Sequence, residues 1–186
     1  YDAVALTSRP LSGLTIDGAY LWRVQNVLSQ RQRLAAPLLH LAYTGWRVAR
    51  VVAYGYWIGY EEAASAARSV QTYGIRLEGS RPLTDLLALR YTGEYAYQMD
   101  YRDNPNDFAV QYAHGLLGLT VRQQGWVVSA TGALELFTSD DGVAFSTPLA
   151  TLHAFQGWAD RFLSTPPQGL RDLYVSLSVR RGRVQA

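Results

Sequence analysis

The sequence predicts an all-β protein, a transmembrane antiparallel up-and-down β-barrel of about nine strands. Three observations favour this fold class. Apolar and polar residues alternate with a period of two along most of the 186-residue chain, short and long connections alternate between those segments, and Tyr and Trp are concentrated in the apolar rows. A period of two marks an extended strand with unlike faces. Half of each spanning strand of a barrel is polar, so no long apolar run is required.

The alternation gives the predicted strands in order: residues 2–8, 14–25, 37–44, 47–60, 70–79, 86–101, 108–121, 126–138 and 170–180. The sixth is the clearest, because in LLALRYTGEYAYQMDY the odd positions are Leu, Tyr, Gly and Met while the even positions carry Arg, Thr, Glu, Gln and Asp. A polar linker at 26–36 is expected before the third strand, and a loop at 61–69 before the fifth.

The predicted connections run short, long, short, long, short, long, short and very long. Long loops at one end only are typical of outer-membrane barrels, which have short turns at the periplasmic rim. The predicted strands also bracket the ~9–11 residues that a tilted strand needs to cross the hydrocarbon of a bilayer. A soluble meander has no reason to keep its long loops at one end.

Aromatic residues in the apolar rows indicate which face is outside. A buried Tyr hydroxyl must find a partner, so an aqueous core prefers Leu, Ile and Val, whereas at a bilayer boundary the ring lies in apolar surroundings and the hydroxyl reaches the headgroups. We therefore expect an aromatic girdle facing lipid, made of Tyr20, Trp22, Tyr54, Tyr56, Tyr91, Tyr95 and Tyr97. A soluble lipocalin-like barrel or sandwich is the alternative fold.

Composition excludes several classes of function. The chain has no Cys, and its formal net charge of +2 is too small to indicate a nucleic-acid partner. His40, His114 and His153 lie on separate segments without metal-ligand spacing. No phosphate-binding Gly-rich loop or nucleophile elbow is recognisable, so we expect no enzyme activity, no cofactor and no metal. We also expect any targeting signal to lie outside this chain.

Charged and amide side chains on the small-residue rows are the candidate lumen residues. They are Asp17, Arg23, Arg76, Glu78, Arg90, Glu94, Gln98 and Asp100. Opposed Arg and acidic side chains across a lumen select permeants by charge and size. The alternative interpretation is that they only solvate and brace the wall. Because Arg grips carboxylates in a bidentate manner, we expect Arg23, Arg76 and Arg90 to contact an anionic permeant.

The last long connection contains the one predicted helix. Leu149, Leu152, Phe155, Ala159, Phe162 and Leu163 recur at helical spacing. Pro166 and Pro167 then end the helix. Such a helix either caps the barrel rim or folds into the lumen as a constriction.

The stretch TPLATLHAFQGWADRFLSTPPQGLRDLYVSL, with LLHLAYTGW and its Tyr-rich sequel, resembles the alginate-export family of Gram-negative outer-membrane barrels. The matching motif comprises His153, Phe155, Gly157, Trp158, Ala159, Asp160 and Phe162, without an assigned role. The resemblance implies a monomeric barrel, with about twice as many strands as are counted here, that conducts an anionic polysaccharide through an Arg-rich lumen. An odd strand number leaves two edges that a bilayer does not tolerate, so we expect residues 1–186 to be one segment of a larger barrel.

The predicted function is passive diffusion of an anionic, alginate-like polysaccharide or related anionic solute across the outer membrane of a Gram-negative bacterium. The expected partners are outer-membrane lipid and that solute. One departure weakens alginate as the cargo: acids are mixed with the arginines on the lumen rows. A general small-solute porin and a soluble β-barrel binding protein are the alternatives.

Overall fold

The computed structural model describes residues 2–25, 31–149 and 165–181. Nine long strands form one antiparallel sheet, in which each is hydrogen-bonded to the next along the chain. These strands are β1 (Asp2–Leu11), β2 (Leu14–Gln25), β3 (Arg31–Tyr43), β4 (Arg50–Tyr60), β5 (Val70–Pro82), β6 (Leu87–Asp100), β7 (Ala109–Gln123), β8 (Trp126–Phe137) and β11 (Leu170–Arg181). Two-residue strands β9 (Ser139–Asp140) and β10 (Val143–Ala144) form a separate hairpin.

The sheet has up-and-down topology with the order β1-β2-β3-β4-β5-β6-β7-β8-β11 and is not closed by the described residues, among which β1 and β11 are its edges. The all-β, antiparallel, nine-stranded part of the prediction is therefore confirmed, whereas the described residues do not close into a barrel and membrane insertion stays a prediction. A single 3₁₀ helix, Ala63–Arg68, is present within the described ranges. No helix in these ranges is long and apolar enough to span a membrane.

Connections are longer on average at one end of the sheet, but the predicted alternation of short and long fails at one pair: because β3 begins at Arg31, connection 26–30 has five residues and 44–49 has six. Residues 12–13, 44–49, 83–86 and 124–125 connect strands at one end, and 26–30, 61–69, 101–108 and 138–169 connect them at the other. We call these the short-connection end and the long-connection end. At the β7–β8 connection, one of two connections with only two residues, Gln124 and Gly125 both have positive φ (49° and 79°), as the type I′ turn of a two-residue hairpin requires.

The polar linker predicted at 26–36 is wrong in its second half. Strand β3 begins at Arg31, and Leu34, Ala35 and Ala36 are almost fully buried. Leu34 lies opposite Tyr60 in register, and Ala36 lies opposite Leu21. The pairing of β3 with both neighbours satisfies its backbone groups, and this overrides the polar composition of the segment.

The two faces of the sheet are unlike. One face carries Tyr54, Arg76, Glu94 and Glu135, and residues 143–149 pack against part of it; we call it the covered face. Both buried apolar clusters lie on this face. The opposite face, which we call the open face, leaves large apolar side chains exposed in the centre of the sheet, including Ile75 (53%), Tyr95 (45%) and Leu117 (64%).

Candidate functional site

Strand register places a row of titratable side chains across five strands of the covered face. Arg76 lies opposite Glu94, Glu94 opposite His114, His114 opposite Glu135, and Glu135 opposite Asp172. We call Glu94, Glu135 and Asp172 the acidic row. Directly opposed side chains on one face lie close enough to interact. The titratable side chains of β5, β6, β7, β8 and β11 therefore lie next to one another at one level of the sheet.

Arg76 is held by carboxylates of this face. Its Nη2 is 2.9 Å from Glu78 Oε2 and its Nη1 is 3.8 Å from Glu94 Oε2. Glu78 also accepts a hydrogen bond from Arg50 Nη1 at 2.7 Å. The predicted lumen residues Arg76, Glu78 and Glu94 are therefore brought together, and the charge of Arg76 is largely balanced by its neighbours.

Two tyrosines donate hydrogen bonds to the acidic row. Tyr54 Oη is 2.7 Å from Glu94 Oε1, and Tyr112 Oη is 2.7 Å from Glu135 Oε1. The ring of Tyr54 also stacks on that of Tyr56 with centroids 4.9 Å apart. Glu135 is only 9% exposed, and the Tyr112 hydroxyl supplies the hydrogen-bond partner that a buried carboxylate needs.

The expectation that Tyr54 and Tyr56 belong to an outward aromatic girdle is wrong. In register, Tyr54 lies opposite Gly74 and Tyr56 opposite Thr72, which are on the covered face with Arg76. Both rows of β4 are apolar, since Val51, Ala53 and Trp57 alternate with these tyrosines. Gly74 decides the orientation, because a Cβ there would collide with the Tyr54 ring.

A cavity of about 570 Å³ lies between the covered face and residues 145–149. Tyr54, Tyr56, Arg76 and Glu94 line it from the strands. Residues 145–149 complete its lining. Gln98, another predicted lumen residue, is only 1% exposed and bonds to Thr72 and Ser146.

Arg90, Asp17 and Asp100 also lie on the covered face, but away from the Arg76 cluster. Arg90 is exposed and lies opposite Ser80 and Gly118. Asp17 accepts a hydrogen bond from Thr7 Oγ1 at 2.6 Å and lies 3.7 Å from His40 Nδ1. Asp100 is the last residue of β6, at the long-connection end.

The placement of Arg23 on the lumen row is wrong. A β-bulge between Leu21 and Arg23 shifts the alternation by one residue, so Val24 packs into the buried cluster of the covered face. Arg23 instead forms an ion pair with Asp2, at 2.8 Å between Nη1 and Oδ2. A bulge adds one residue to one strand only, and a strict period of two cannot detect it.

The remaining aromatic residues of the predicted girdle lie on the open face, except Trp22, which lies at the β-bulge of β2. Tyr95 lies opposite Ile75, and Tyr97 opposite Tyr73. Tyr20 is 42% exposed, and Trp22, at the bulge, is 43% exposed. Tyr91 donates a hydrogen bond to the backbone oxygen of Val48, at the short-connection end.

Charged side chains on the open face occur only near strand ends in the described ranges. On the central and last strands they are Arg81, Arg171 and Arg181, each within two residues of a strand terminus. Arg181 lies over the ring of Trp126, 5.0 Å from its centroid. The middle of the open face therefore consists of apolar, Tyr and Gly residues between polar ends.

Sequence reasoning missed several charged residues of the covered face: Arg50, Arg122, Glu135, Asp172 and Arg180. Extending the period-two alternation through β7, β8 and β11 would have found the last four.

The described ranges contain no group of three or more His, Asp or Glu able to hold a metal ion. The motif His153, Phe155, Gly157, Trp158, Asp160 and Phe162 lies outside the described residues, as does most of the predicted helix.

Comparison of this chain with protein-family models, with curated proteins and with solved structures finds no match in any of the three.

Proposed function

We propose that this sheet is the wall of an outer-membrane β-barrel channel in a Gram-negative bacterium, with the open face against lipid and the covered face toward the lumen. One observation carries the proposal: the exposed apolar side chains and the charged side chains are separated onto opposite faces. Large apolar residues such as Ile75 and Leu117 are exposed in the sheet centre, whereas Glu94 and Glu135 are shielded. A soluble protein buries the apolar row instead.

The dimensions of the apolar region support a membrane location. On β11 the open-face residues Leu173, Val175, Leu177 and Val179 lie between Arg171 and Arg181, which are ten residues apart. On β5 the same spacing separates Gln71 from Arg81. Ten residues extend ~33 Å along a strand, and a tilt of ~40° reduces this to ~25 Å, the height of the lipid-facing band of outer-membrane barrels.

The edges of the sheet favour a larger barrel. The outward row of β11 is strongly exposed, for example Val175 at 80%, and neither β1 nor β11 has a partner on its second side among the described residues. Unpaired backbone groups in hydrocarbon cost several kcal/mol each. We therefore propose that residues 1–186 form one segment of a larger monomeric barrel, whose further strands complete the wall.

Passive conduction of an anionic polysaccharide or smaller anionic solute is the first candidate activity. Arg90, Arg122 and Arg180 lie on the covered face near the short-connection end, and Arg122 and Arg180 flank Val127 from either side. Within the described ranges none of the three forms an ion pair with a carboxylate, so their guanidinium groups are available to bind anionic groups of a solute.

A general small-solute porin is the second candidate, and the acidic row favours it. Glu94, Glu135 and Asp172 carry three carboxylates at the level of Arg76, whose own charge is balanced by Glu78 and Glu94. Because Glu94 is paired with Arg76, the carboxylates of Glu135 and Asp172 are the two at this level that oppose the entry of a strongly anionic polymer. A lumen with a basic end and an acidic middle admits small neutral solutes most readily.

Bilayer recordings and solute-swelling assays distinguish the candidates. If anions are the cargo, purified protein in a planar bilayer prefers anions, and liposomes containing it swell faster in uronate oligomers than in neutral sugars. Substitution of Arg90, Arg122 and Arg180 together by Glu then reverses the preference.

Faster swelling in neutral sugars, with little charge preference, supports the general porin instead. Purification from the aqueous fraction without detergent would contradict both and indicate a soluble binding protein.

A further inference from the structure

The segment that follows β8 folds back onto the covered face. After the β9–β10 hairpin, which turns at Asp141 and Gly142, the chain places Phe145 among wall residues. Phe145 is 5% exposed, and its ring lies 5.5 Å from that of Tyr112 and 6.1 Å from that of Phe137. We call residues 143–149 the strap.

Gln98 bonds to the strap in two directions. Its Nε2 donates to the backbone oxygen of Ser146 at 2.9 Å, and its Oε1 accepts from the backbone N–H of Ser146 at 2.8 Å. The hydroxyl of Ser146 adds a third bond to Oε1, at 3.2 Å. The side-chain amide therefore pairs with Ser146 as a neighbouring strand would.

The remaining donor of Gln98 fixes the amide to the wall. Nε2 also donates to Thr72 Oγ1 at 2.8 Å, on the adjacent strand β5. An amide offers two N–H donors and two acceptor lone pairs, so all of them are used. A polar side chain on the wall of a water-filled channel is normally bonded to water, whereas the buried Gln98 amide bonds to Thr72 of the wall and to Ser146 of the strap.

We propose that the strap is the size-limiting element of the channel and that Gln98 is its positioning residue; this inference rests on the proposed channel function. The strap lies on the lumen side of the wall, and its residues 145–149 line the 570 Å³ cavity together with Tyr54, Tyr56 and Arg76. It therefore occupies lumen cross-section that a bare wall would leave to water. Removal of the Gln98 amide leaves the Ser146 backbone groups without this partner and loosens the strap beyond Phe145, whose ring remains packed on the wall.

The first test is Gln98→Leu, with Gln123→Leu as the matched control at the exposed end of β7. Polymer-exclusion measurements in planar bilayers should show a larger size cut-off and about a two-fold higher single-channel conductance for Gln98→Leu, and wild-type values for the control. Because the chain lacks Cys, Ser146→Cys adds a unique thiol. Its maleimide labelling should accelerate about ten-fold when Gln98→Leu is present. Unchanged cut-off and unchanged labelling would overturn the inference.

A second test keeps Gln98 and does not depend on the folding of that variant. Thr147 lines the cavity and is exposed, so a bulky thiol reagent on Thr147→Cys should reduce the current by more than half. The control is Thr84→Cys, in a connection at the short-connection end. Wild-type current after complete labelling at position 147 would refute the strap as the limiting element. Absence of any channel activity in the unmodified protein would instead refute the proposed function. The role of Gln98 in holding the strap would still be measured by the maleimide labelling rate of Ser146→Cys with and without Gln98→Leu.

Discussion

Tyr54 on β4 and Glu94 on β6 are joined by a 2.7 Å hydrogen bond that passes across the intervening strand β5. The contact depends on Gly74, which lies opposite Tyr54 and leaves the space that the ring occupies. Together with Arg76 on β5, it ties three strands of the covered face to one carboxylate.

Gly74→Ala should displace the Tyr54 ring and break its bond to Glu94. We expect a loss of ~1–3 kcal/mol in the free energy of unfolding, the usual cost of overpacking. Urea unfolding in lipid vesicles measures it. Gly93→Ala is the matched control, because a Cβ at Gly93 meets nothing within 4 Å. Equal stability of the two variants would show that Gly74 is not required for this contact.

Ile75→Arg should destabilise the protein in vesicles because it places a charge in the middle of the open face. An Arg at the bilayer midplane costs ~2–4 kcal/mol, whereas one near the interface costs ~0–1 kcal/mol. Gln71→Arg lies on the same face near the strand end and supplies the depth control. Similar effects at both positions would argue against a membrane-spanning open face.

The bulge in β2 predicts that substitution of Val24 lowers the free energy of unfolding more than substitution of its neighbour Arg23. Val24→Thr buries a hydroxyl in an apolar cluster and should cost ~1–3 kcal/mol, since Val24 is 5% exposed. Arg23→Gln removes only an exposed ion pair with Asp2, worth ~0.2–1 kcal/mol. Denaturant unfolding of both variants checks the assignment, and a larger loss for Arg23→Gln would place Arg23 in the core.

Neutralisation of the acidic row should shift the charge selectivity of the proposed channel toward anions. The triple variant Glu94→Gln, Glu135→Gln and Asp172→Asn removes three negative charges at one level of the covered face, while the amides retain hydrogen-bonding capacity. The zero-current potential in a salt gradient reports the shift. Asp107→Asn, in a connection at the long-connection end, is the control. Equal zero-current potentials for the triple variant and this control would show that the acidic row does not contribute to ion selectivity.

Much of the architecture was readable from the sequence because a strand with unlike faces has a period of two. The bounds of β2, β6 and β8 agree with prediction within one residue at each end. The alternation predicts Glu78, Glu94 and Gln98 on the face opposite Tyr95, and the register places them there. Alternation along the chain determines such relative positions wherever only one row is apolar.

The errors arose where alternation is insufficient. In β4 both rows are apolar, so the space above Gly74 on the next strand, and not the pattern, decides where Tyr54 points. In β2 a bulge exchanges the faces of Arg23 and Val24. The strap contact between Gln98 and Ser146 joins residues 48 positions apart, and a local pattern carries no information about such a contact.

The orientation of the two faces is tested most directly by spin labels at Tyr95→Cys and Arg90→Cys on β6. These sites lie on opposite faces of one strand, and the Cys-free background makes each label unique. In vesicles, the label at position 95 should collide with oxygen dissolved in the lipid, and the label at position 90 with a water-soluble nickel chelate. If position 95 is reached by the chelate and shielded from lipid oxygen, the membrane-channel account is contradicted.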